Sequence, residues 1–544
     1  VNQIVGGSTL LNFENISATA YTGNLTIYGN DSTNTLRGGT GVNTIYGSSG
    51  NDSITGGTNN DVLHGGDGND GIVGGVGVDS LYGDGGNDTI TYDVADTIID
   101  GGDGVDTLVL TGSSSLTIDL TSTVNQVAGG ATVLNFENIS ATAYTGDLTI
   151  FGNESTNALR GGSGVNTIYG SAGNDGITGG MNNDMLYGGD GADNIVGGAC
   201  SDSLSGDAGN DTITYDAADT IIDGGADIDT LVLTGSAAIT GDLSNAANQI
   251  SGTAIVTGFE YVNASTLTGD LTLTGDAGVN NLRGGTGSNL LYGGDGNDVL
   301  TGGTGSDQLY GCNGNDTIVG GAGGDQLYGG AGNDSITYDA ADTIIDGGTD
   351  IDTLTITGSA ALTIDLSNAA NQIAGGPIVT NFENITATAY TGALTIIGSG
   401  ITNTLRGGTG VNAIIGGAGN DSITGGLNND ILSGGAGNDT LTGGLGNDTY
   451  NFARGDGADI IVENDATVGN HDVLAFASGV NYDQLWFKHI GNNLEVAVIG
   501  TTDKVTVSNW FLSTDRQVES VQAGGLGLVN SNVINLVNAM AGMT

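Results

Sequence analysis

The chain has 544 residues, with 103 Gly, 61 Asp plus Glu and only eight Lys plus Arg, giving a formal charge of -53 at pH 7. Such a polyanion is repelled by nucleic acid and by anionic membrane surfaces, and its natural partners are cations. Strong charge and abundant Gly also favour a disordered coil, but Ile, Leu and Val recur at fixed places and mean hydropathy is +0.02 rather than strongly negative.

Only eight of the acids are Glu, so the charge is carried by Asp, the shorter carboxylate that suits tight turns and hard cations. Cys200 and Cys312 are too few for a disulfide framework, and each stands where a turn Gly would otherwise be. No apolar run approaches the ~20 residues of a membrane-spanning helix, and no N-terminal signal peptide is evident. The chain starts without Met, in the middle of a repeat, so Val1 is not expected to be the natural start and further modules are expected before it.

Two periods are nested. The string VNQIVGGSTLLNFENISATAYTG at residue 1 returns as VNQVAGGATVLNFENISATAYTG at 124, ANQISGTAIVTGFEYVNASTLTG at 247 and ANQIAGGPIVTNFENITATAYTG at 370, a module of 123 residues. Arg37, Arg160, Arg283 and Arg406 keep this spacing, as do Phe13, Phe136, Phe259 and Phe382. A single Arg per module in so acidic a chain is expected to neutralise local carboxylates. Inside each module runs a period of nine, written first as GGTGVNTIY, GSSGNDSIT, GGTNNDVLH, GGDGNDGIV, GGVGVDSLY and GDGGNDTIT from Gly38 to Thr91. Gly at positions one, two and four permits positive φ and close backbone approach to an ion. Asp at six supplies an anionic oxygen, and turn carbonyls supply neutral ones. Positions seven to nine form a short strand with its middle, aliphatic side chain inward.

One such unit cannot bury its apolar residue, so units must stack. Strands one coil apart lie ~4.8 Å from each other, which lines the position-six carboxylates into columns whose neighbours repel by several kcal/mol at an effective dielectric of ~20. A divalent cation between successive turns converts the repulsion to attraction. Oxygen-only ligands in such a turn suit Ca²⁺ better than Mg²⁺, which demands tighter octahedral geometry.

These residues resemble the RTX (haemolysin-type) calcium-binding repeat, GGxGxDxUx with U a large aliphatic, over blocks 38–109, 161–232, 284–355 and 407–451. The resemblance implies a right-handed parallel β-roll, two nonapeptides per coil, with several Ca²⁺ held by position-six Asp and turn carbonyls of adjacent coils. Carried over by position, the ligands are Asp52, Asp61, Asp70, Asp79, Asp88 and Asp106, then Asp175, Asp184, Asp193, Asp202, Asp211 and Asp229. They continue as Asp298, Asp307, Asp316, Asp325, Asp334 and Asp352, and finally Asp421, Asp430, Asp439 and Asp448. Asn43, Asn166, Asn289 and Asn412 replace Asp in the first unit of each block, where sites are expected to be weak or empty. The string YDVADTIID at 92, repeated as YDAADTIID at 215 and 338, shortens the turn before Asp96 by one residue, as if the ion site lapses while the coil continues.

The connecting ~50 residues of each module alternate apolar and polar with Thr, Val and Ile, a strand signature. They are expected to be metal-free coils of the same solenoid, with Phe136 and its equivalents filling a wider core; separate small β-units are the alternative. From about Phe452 the nonapeptides stop and both Trp appear. LEVAVIG, DKVTVSNWF and VESVQAG read as antiparallel strands, with Trp486, Phe487, Trp510 and Phe511 as a small core that caps the solenoid. Val533, Leu536, Val537 and Met540 fall at helical spacing. This region resembles the C-terminal part of RTX proteins exported by type I secretion, which implies an uncleaved export signal and the type I machinery as a partner.

The fold class expected is therefore all-β: a parallel β-solenoid of four modules (1–123, 124–246, 247–369 and the partial 370–451) followed by a cap, short helix and secretion region at 452–544. His64, His471 and His489 are scattered, with no zinc spacing, no GxSxG elbow and no phosphate-binding loop, so no enzyme is expected. Two functions fit an extracellular or cell-surface calcium protein. One is a structural subunit of a surface layer, filament or adhesin stalk, self-assembling and folding on calcium after secretion, with each module of ~7 coils rising roughly 33 Å. The other is the calcium-binding and secretion region of an RTX toxin or enzyme whose active domain lies upstream.

Overall fold

A computed structural model describes residues 4–5 and 13–542, so residues 1–3 and 6–12 of the opening string of the first module and the last two residues lie outside the described residues. The chain divides into two compact units, Val1–Gly235 with Ile239–Ala264, and Ser236–Ala238 with Ser265–Thr544.

In the first unit alternate nonapeptides build two facing walls of parallel strands. Ile45 pairs with Leu63, Leu63 with Leu81 and Leu81 with Ile99 on one wall. Leu36 pairs with Ile54, Ile54 with Ile72 and Ile72 with Ile90 on the other. Each step is 18 residues, two nonapeptides, so the position-eight side chains form two ladders with exposures of 0–1%. Burying each of these side chains stabilises the stack by roughly 1.5–3 kcal/mol relative to leaving it in water. The outward position-nine side chains stack as well. Tyr28, Tyr46, His64 and Tyr82 lie ring on ring at centroid spacings of 5.2, 5.1 and 4.6 Å, the coil repeat imposed on aromatic faces.

The connecting segment after Asp106 extends one wall and restarts the other. Leu108 pairs in parallel with Ile139 and Ile139 with Leu159, with a register shift between Val109 and Thr111. Opposite, the first wall ends where Ile99 pairs with Val133, and a new wall opens with Leu116–Asp119 against Leu148–Phe151. The segments are thus coils of the solenoid rather than separate β-units. Phe136, Phe259 and Phe382 are 0–1% exposed. A buried Gln holds each in place: Gln126 Oε1 accepts the Phe136 N–H at 2.9 Å and its Nε2 donates to the Phe136 carbonyl at 2.9 Å. Phe13 departs from this expectation at 50% exposure; the Gln of its module, Gln3, lies outside the described residues.

The second unit repeats the architecture. Leu291 pairs with Leu309 and Leu309 with Leu327 on one wall, and Leu300 with Ile318 and Ile318 with Ile336 on the other. The expected change of folding unit at Phe452 is not a break in the walls. Thr449–Phe452 pairs in parallel with Val473–Phe476, which pairs in parallel with Ser520–Ala523, and Ala458–Ile461 pairs in parallel with Lys504–Val507. The antiparallel cap grows from those last strands, through Leu485–Ile490, Asn493–Val498 and Lys504–Val507. Ser520–Ala523 pairs antiparallel only with Leu526–Val529. Phe487 and Trp510 are buried in the cap, with Trp486 and Phe511 partly covered. Helix Asn530–Ala541 buries Val533 and Val537, with Leu536 and Met540 half-buried beside them.

The four module Arg do not pair with carboxylates. Ion pairs among the described residues join both Lys488 and Lys504 to Glu495, and His64 Nδ1 lies 3.1 Å from Asp84 Oδ2. Arg37, Arg160, Arg283 and Arg406 are exposed on the outward side of strand ends, while the position-six carboxylates are buried in the turns. Replacing Leu63 with Ala removes a rung of a thin core, and the expected loss is about 2–5 kcal/mol in urea unfolding of the calcium-saturated protein, with Val73→Ala on the solvent side near zero.

Candidate metal centres

At both edges of the walls the turns carry a column of buried carboxylates. Each position-six N–H donates to the carboxylate one coil further on. In one column Asn34 donates to Asp52 Oδ1 at 2.6 Å, Asp52 to Asp70 at 2.6 Å, Asp70 to Asp88 at 2.7 Å and Asp88 to Asp106 at 2.7 Å. In the other, Asn43 donates to Asp61 at 2.6 Å and Asp61 to Asp79 at 2.7 Å. The same bonds run through Asp175, Asp193, Asp211 and Asp229, through Asp184 and Asp202, and in the second unit through Asp298, Asp316, Asp334 and Asp352. Asp307 with Asp325, Asp421 with Asp439, and Asp430 with Asp448 complete them. Every aspartate assigned from the repeat is at most 3% exposed.

These bonds use only one carboxylate oxygen. Oδ2 of each of these aspartates is buried with no hydrogen-bond partner, an arrangement costing several kcal/mol per group unless a cation faces it. A glycine keeps the facing space open. A side chain at Gly65 would strike Asp70 Oδ2 and the Gly83 carbonyl oxygen, the latter at 2.6 Å. Gly47, Gly56, Gly83, Gly170 and Gly293 stand in the same relation to their own Asp and the next coil. The Asn at the head of each second column identifies the lining. Asn43 Nδ2 donates to the Gly41 carbonyl at 2.8 Å, to the Gly56 carbonyl at 3.2 Å and to Asp61 Oδ1 at 3.0 Å. In the following units that nitrogen is replaced by a carboxylate oxygen, and the converging oxygens then have no donor among them. Two carboxylates and turn carbonyls are a hard-oxygen set of the kind Ca²⁺ takes. No three carboxylate, imidazole or thiol side chains converge among the described residues; the other oxygens facing each cradle are backbone carbonyls.

The repeat model for the RTX calcium-binding nonapeptide matches residues 28–90, 151–222, 274–345 and 397–458. The chain belongs to the RTX calcium-binding nonapeptide-repeat family. The Haemolysin-type calcium binding protein related domain matches residues 493–522, within the cap. The chain is also similar to the extracellular lipase LipA from Serratia marcescens, at 19% identity over 54% of this chain, with a TM-score of 0.16. It spans 45% of the length of that lipase.

Each RTX block begins one nonapeptide before the Gly38-type start read from the sequence. Gly29–Arg37 is already in phase, with Asn34 at position six, buried and bonded through its own turn to Asn30. Asn34 and Asn43 close the heads of both columns with neutral amides, as do Asn157 and Asn166.

At the YDVADTIID string the carboxylate ladder persists. Asp79 N–H donates to Asp96 Oδ1 at 3.0 Å, 17 residues on, and Asp96 is 6% exposed with Oδ2 unpartnered. Asp219 repeats this, whereas Asp342 accepts the Asp325 N–H on Oδ1 at 3.3 Å and the Asp339 N–H on Oδ2 at 3.2 Å. What recedes is the carbonyl: around Gly74, Gly197 and Gly320 the nearest atoms all belong to the unit's own Asp. Beyond the last nonapeptides Asp459 and Asp472 accept from Asp439 and Asp448 at 3.0 and 2.7 Å. Beside Asp448 the Tyr450 hydroxyl enters the cradle, accepting the Gly443 N–H at 2.8 Å and donating to Glu463. Burial, then the Asp472 charge, push the Glu463 carboxyl up to about 9, so it keeps its proton. Cys200 and Cys312 are free thiols at turn positions with φ +88° and +82°, the left-handed backbone that Gly takes elsewhere.

Burial, partly offset by the backbone N–H and augmented by neighbouring carboxylates, raises the column aspartates from 3.8 to about 7 at Asp88 and Asp211. Burial also raises Asp184 from 3.8 to about 7, against hydrogen bonds from Asn166. A folded-state value above the unfolded one stabilises the fold below the unfolded value and loses that contribution as pH rises through the folded value. In chelator the far-UV β signal is therefore expected to be retained at pH 4 and lost between about pH 6 and 8. A chelated chain that melts on acidification instead contradicts this.

Gly65→Ala fills the cradle, while Gly71→Ala meets nothing nearer than 3.9 Å. The first is expected to lower calcium uptake by one site in equilibrium dialysis and the second to leave it unchanged.

Proposed function

We propose that this chain is a calcium-dependent extracellular structural element of a bacterial surface, a surface-layer or filament subunit or an adhesin stalk, that folds on calcium after export. The carrying observation is the continuous ladder of half-satisfied buried carboxylates in every RTX block, held in modules of near-identical sequence. Without a cation each block stacks orphaned charge at strand spacing; with one, each turn is tied to the next. A site whose dissociation constant lies a hundredfold below ambient calcium stabilises the fold by about 2.7 kcal/mol, and many sites acting together make calcium the condition of folding.

Export unfolded through a type I system from a calcium-poor cytosol, followed by folding outside, fits this energetics. Faithful duplication of long modules adds length, which a structural element uses and a short secretion tail does not need. The turns are taken up by the ion lining, so the proposed role is non-enzymatic.

Circular dichroism with and without EGTA tests the folding step: a cooperative gain of β signal on adding calcium is expected, and native-like signal persisting in chelator at pH 8 refutes it. Electron microscopy of native material tests the structural role, which ordered filaments or lattices support. A gene product with an upstream protease, lipase or pore-forming domain favours the reading as a calcium-binding and secretion region.

A further inference from the structure

The connecting segments each end one carboxylate column with a glutamate. Asp106 N–H donates to Glu137 Oε2 at 2.8 Å, Asp229 N–H to Glu260 Oε2 at 3.0 Å and Asp352 N–H to Glu383 Oε2 at 2.9 Å. This is the bond that position six makes to the next coil within a block, here made across 31 residues instead of 18. The other half of an ion lining is also present. Asp106, Asp229 and Asp352 are 0% exposed, and Oδ2 of each has no partner. The carbonyl oxygens of Asn135, Gly258 and Asn381 replace the next-coil glycine carbonyl: a side chain at Gly101, Gly224 or Gly347 would strike them and come within 2.6, 2.7 and 2.7 Å of the Asp Oδ2.

We infer that these three places are additional divalent-cation sites of composite construction, each with one half from an RTX nonapeptide and the other from the connecting segment. The inference rests on calcium occupying the within-block sites. A Glu reaches further from its backbone than an Asp, which lets a carboxylate from an irregular turn meet a column set by nine-residue units. The donor set is again all hard oxygen, which selects Ca²⁺. The segments thereby share in ion binding, and each block is tied to the coil that follows it.

The chain carries its own contrast. Asp472 N–H donates to Glu519 Oε2 at 2.7 Å, but Asp472 Oδ2 receives Asn470 Nδ2 at 2.6 Å. That end has the Glu bond without the orphaned oxygen, and no ion is assigned there.

Crystals of the full chain grown in calcium and measured for anomalous scattering test the assignment. Density is expected between Asp106 Oδ2, the Asn135 carbonyl and Glu137, and at both equivalent places. Occupied nonapeptide sites beside three empty composite ones overturn the inference alone, whereas density at neither overturns the calcium reading beneath it as well. Equilibrium dialysis with radioactive calcium supplies a second readout. The E137Q/E260Q/E383Q variant, if its circular dichroism matches wild type, is expected to bind three fewer ions per chain at limiting calcium. An unchanged count refutes the sites, and if the variant fails to fold the anomalous maps of the wild-type chain decide.

Discussion

Like charges held at the spacing of neighbouring β-strands govern this molecule. The coil repeat of ~4.8 Å is set by backbone hydrogen bonding and cannot relax, so every carboxylate at position six lies against another one coil away. The backbone N–H of each such residue engages Oδ1 of the next, orienting the carboxylate and leaving Oδ2 aimed into a glycine-lined space. The hydrophobic contribution alone is slender, since each half-coil buries chiefly a single aliphatic side chain. A stack with so narrow a core and so much buried charge depends on what neutralises the turns.

The heads of the columns, and the far end beside Asp448, are closed by neutral groups of the chain itself. Asn43 turns an amide nitrogen toward the Gly41 and Gly56 carbonyls and Asp61 Oδ1, closing its turn with a hydrogen-bonded plug. At the far end of the second unit a tyrosine hydroxyl and a glutamate that retains its proton take over beside Asp448. Further on, Lys488 and Lys504 converge on Glu495 across three antiparallel strands and hold its carboxyl below its ordinary range. Amide, phenol and ammonium thus appear where the repeat stops.

Much of this was legible because the repeat puts each chemical demand at a fixed place. The aliphatic residue at eight and the aspartate at six announce the core ladder and the columns without reference to any distant partner. The parts that were obscured are those where the phase or the residue type changes. Asn34 hid a whole nonapeptide because the amide replaced the aspartate and the second glycine was missing. A one-residue deletion masked Asp96, although three-dimensional pairing needs only the N–H bond and absorbs the shift. Glu137 was camouflaged by an insertion, and its one visible signal was the recurrence of Glu14, Glu137, Glu260 and Glu383 at the module spacing in a chain with eight Glu. The parallel pairing of Ala458–Ile461 with Lys504–Val507 could not be read from local pattern, since a strand does not declare its neighbour. The Arg misled because a charge balance for the whole chain says nothing about which side of a strand the cation occupies.

The amide heads of the columns also bear on alignment. Consecutive nonapeptides are so alike that a growing stack could slip by a full coil and keep every aliphatic rung satisfied. A slip of 18 residues, however, would bring an amide-plugged turn into the interior of a column and leave an aspartate turn at its head, without the neutral closure that belongs there. The penalty falls on the electrostatics while the core is indifferent. Asn at the start of each block thereby serves as a phase marker, letting a highly degenerate sequence choose one alignment out of several that its apolar residues would accept.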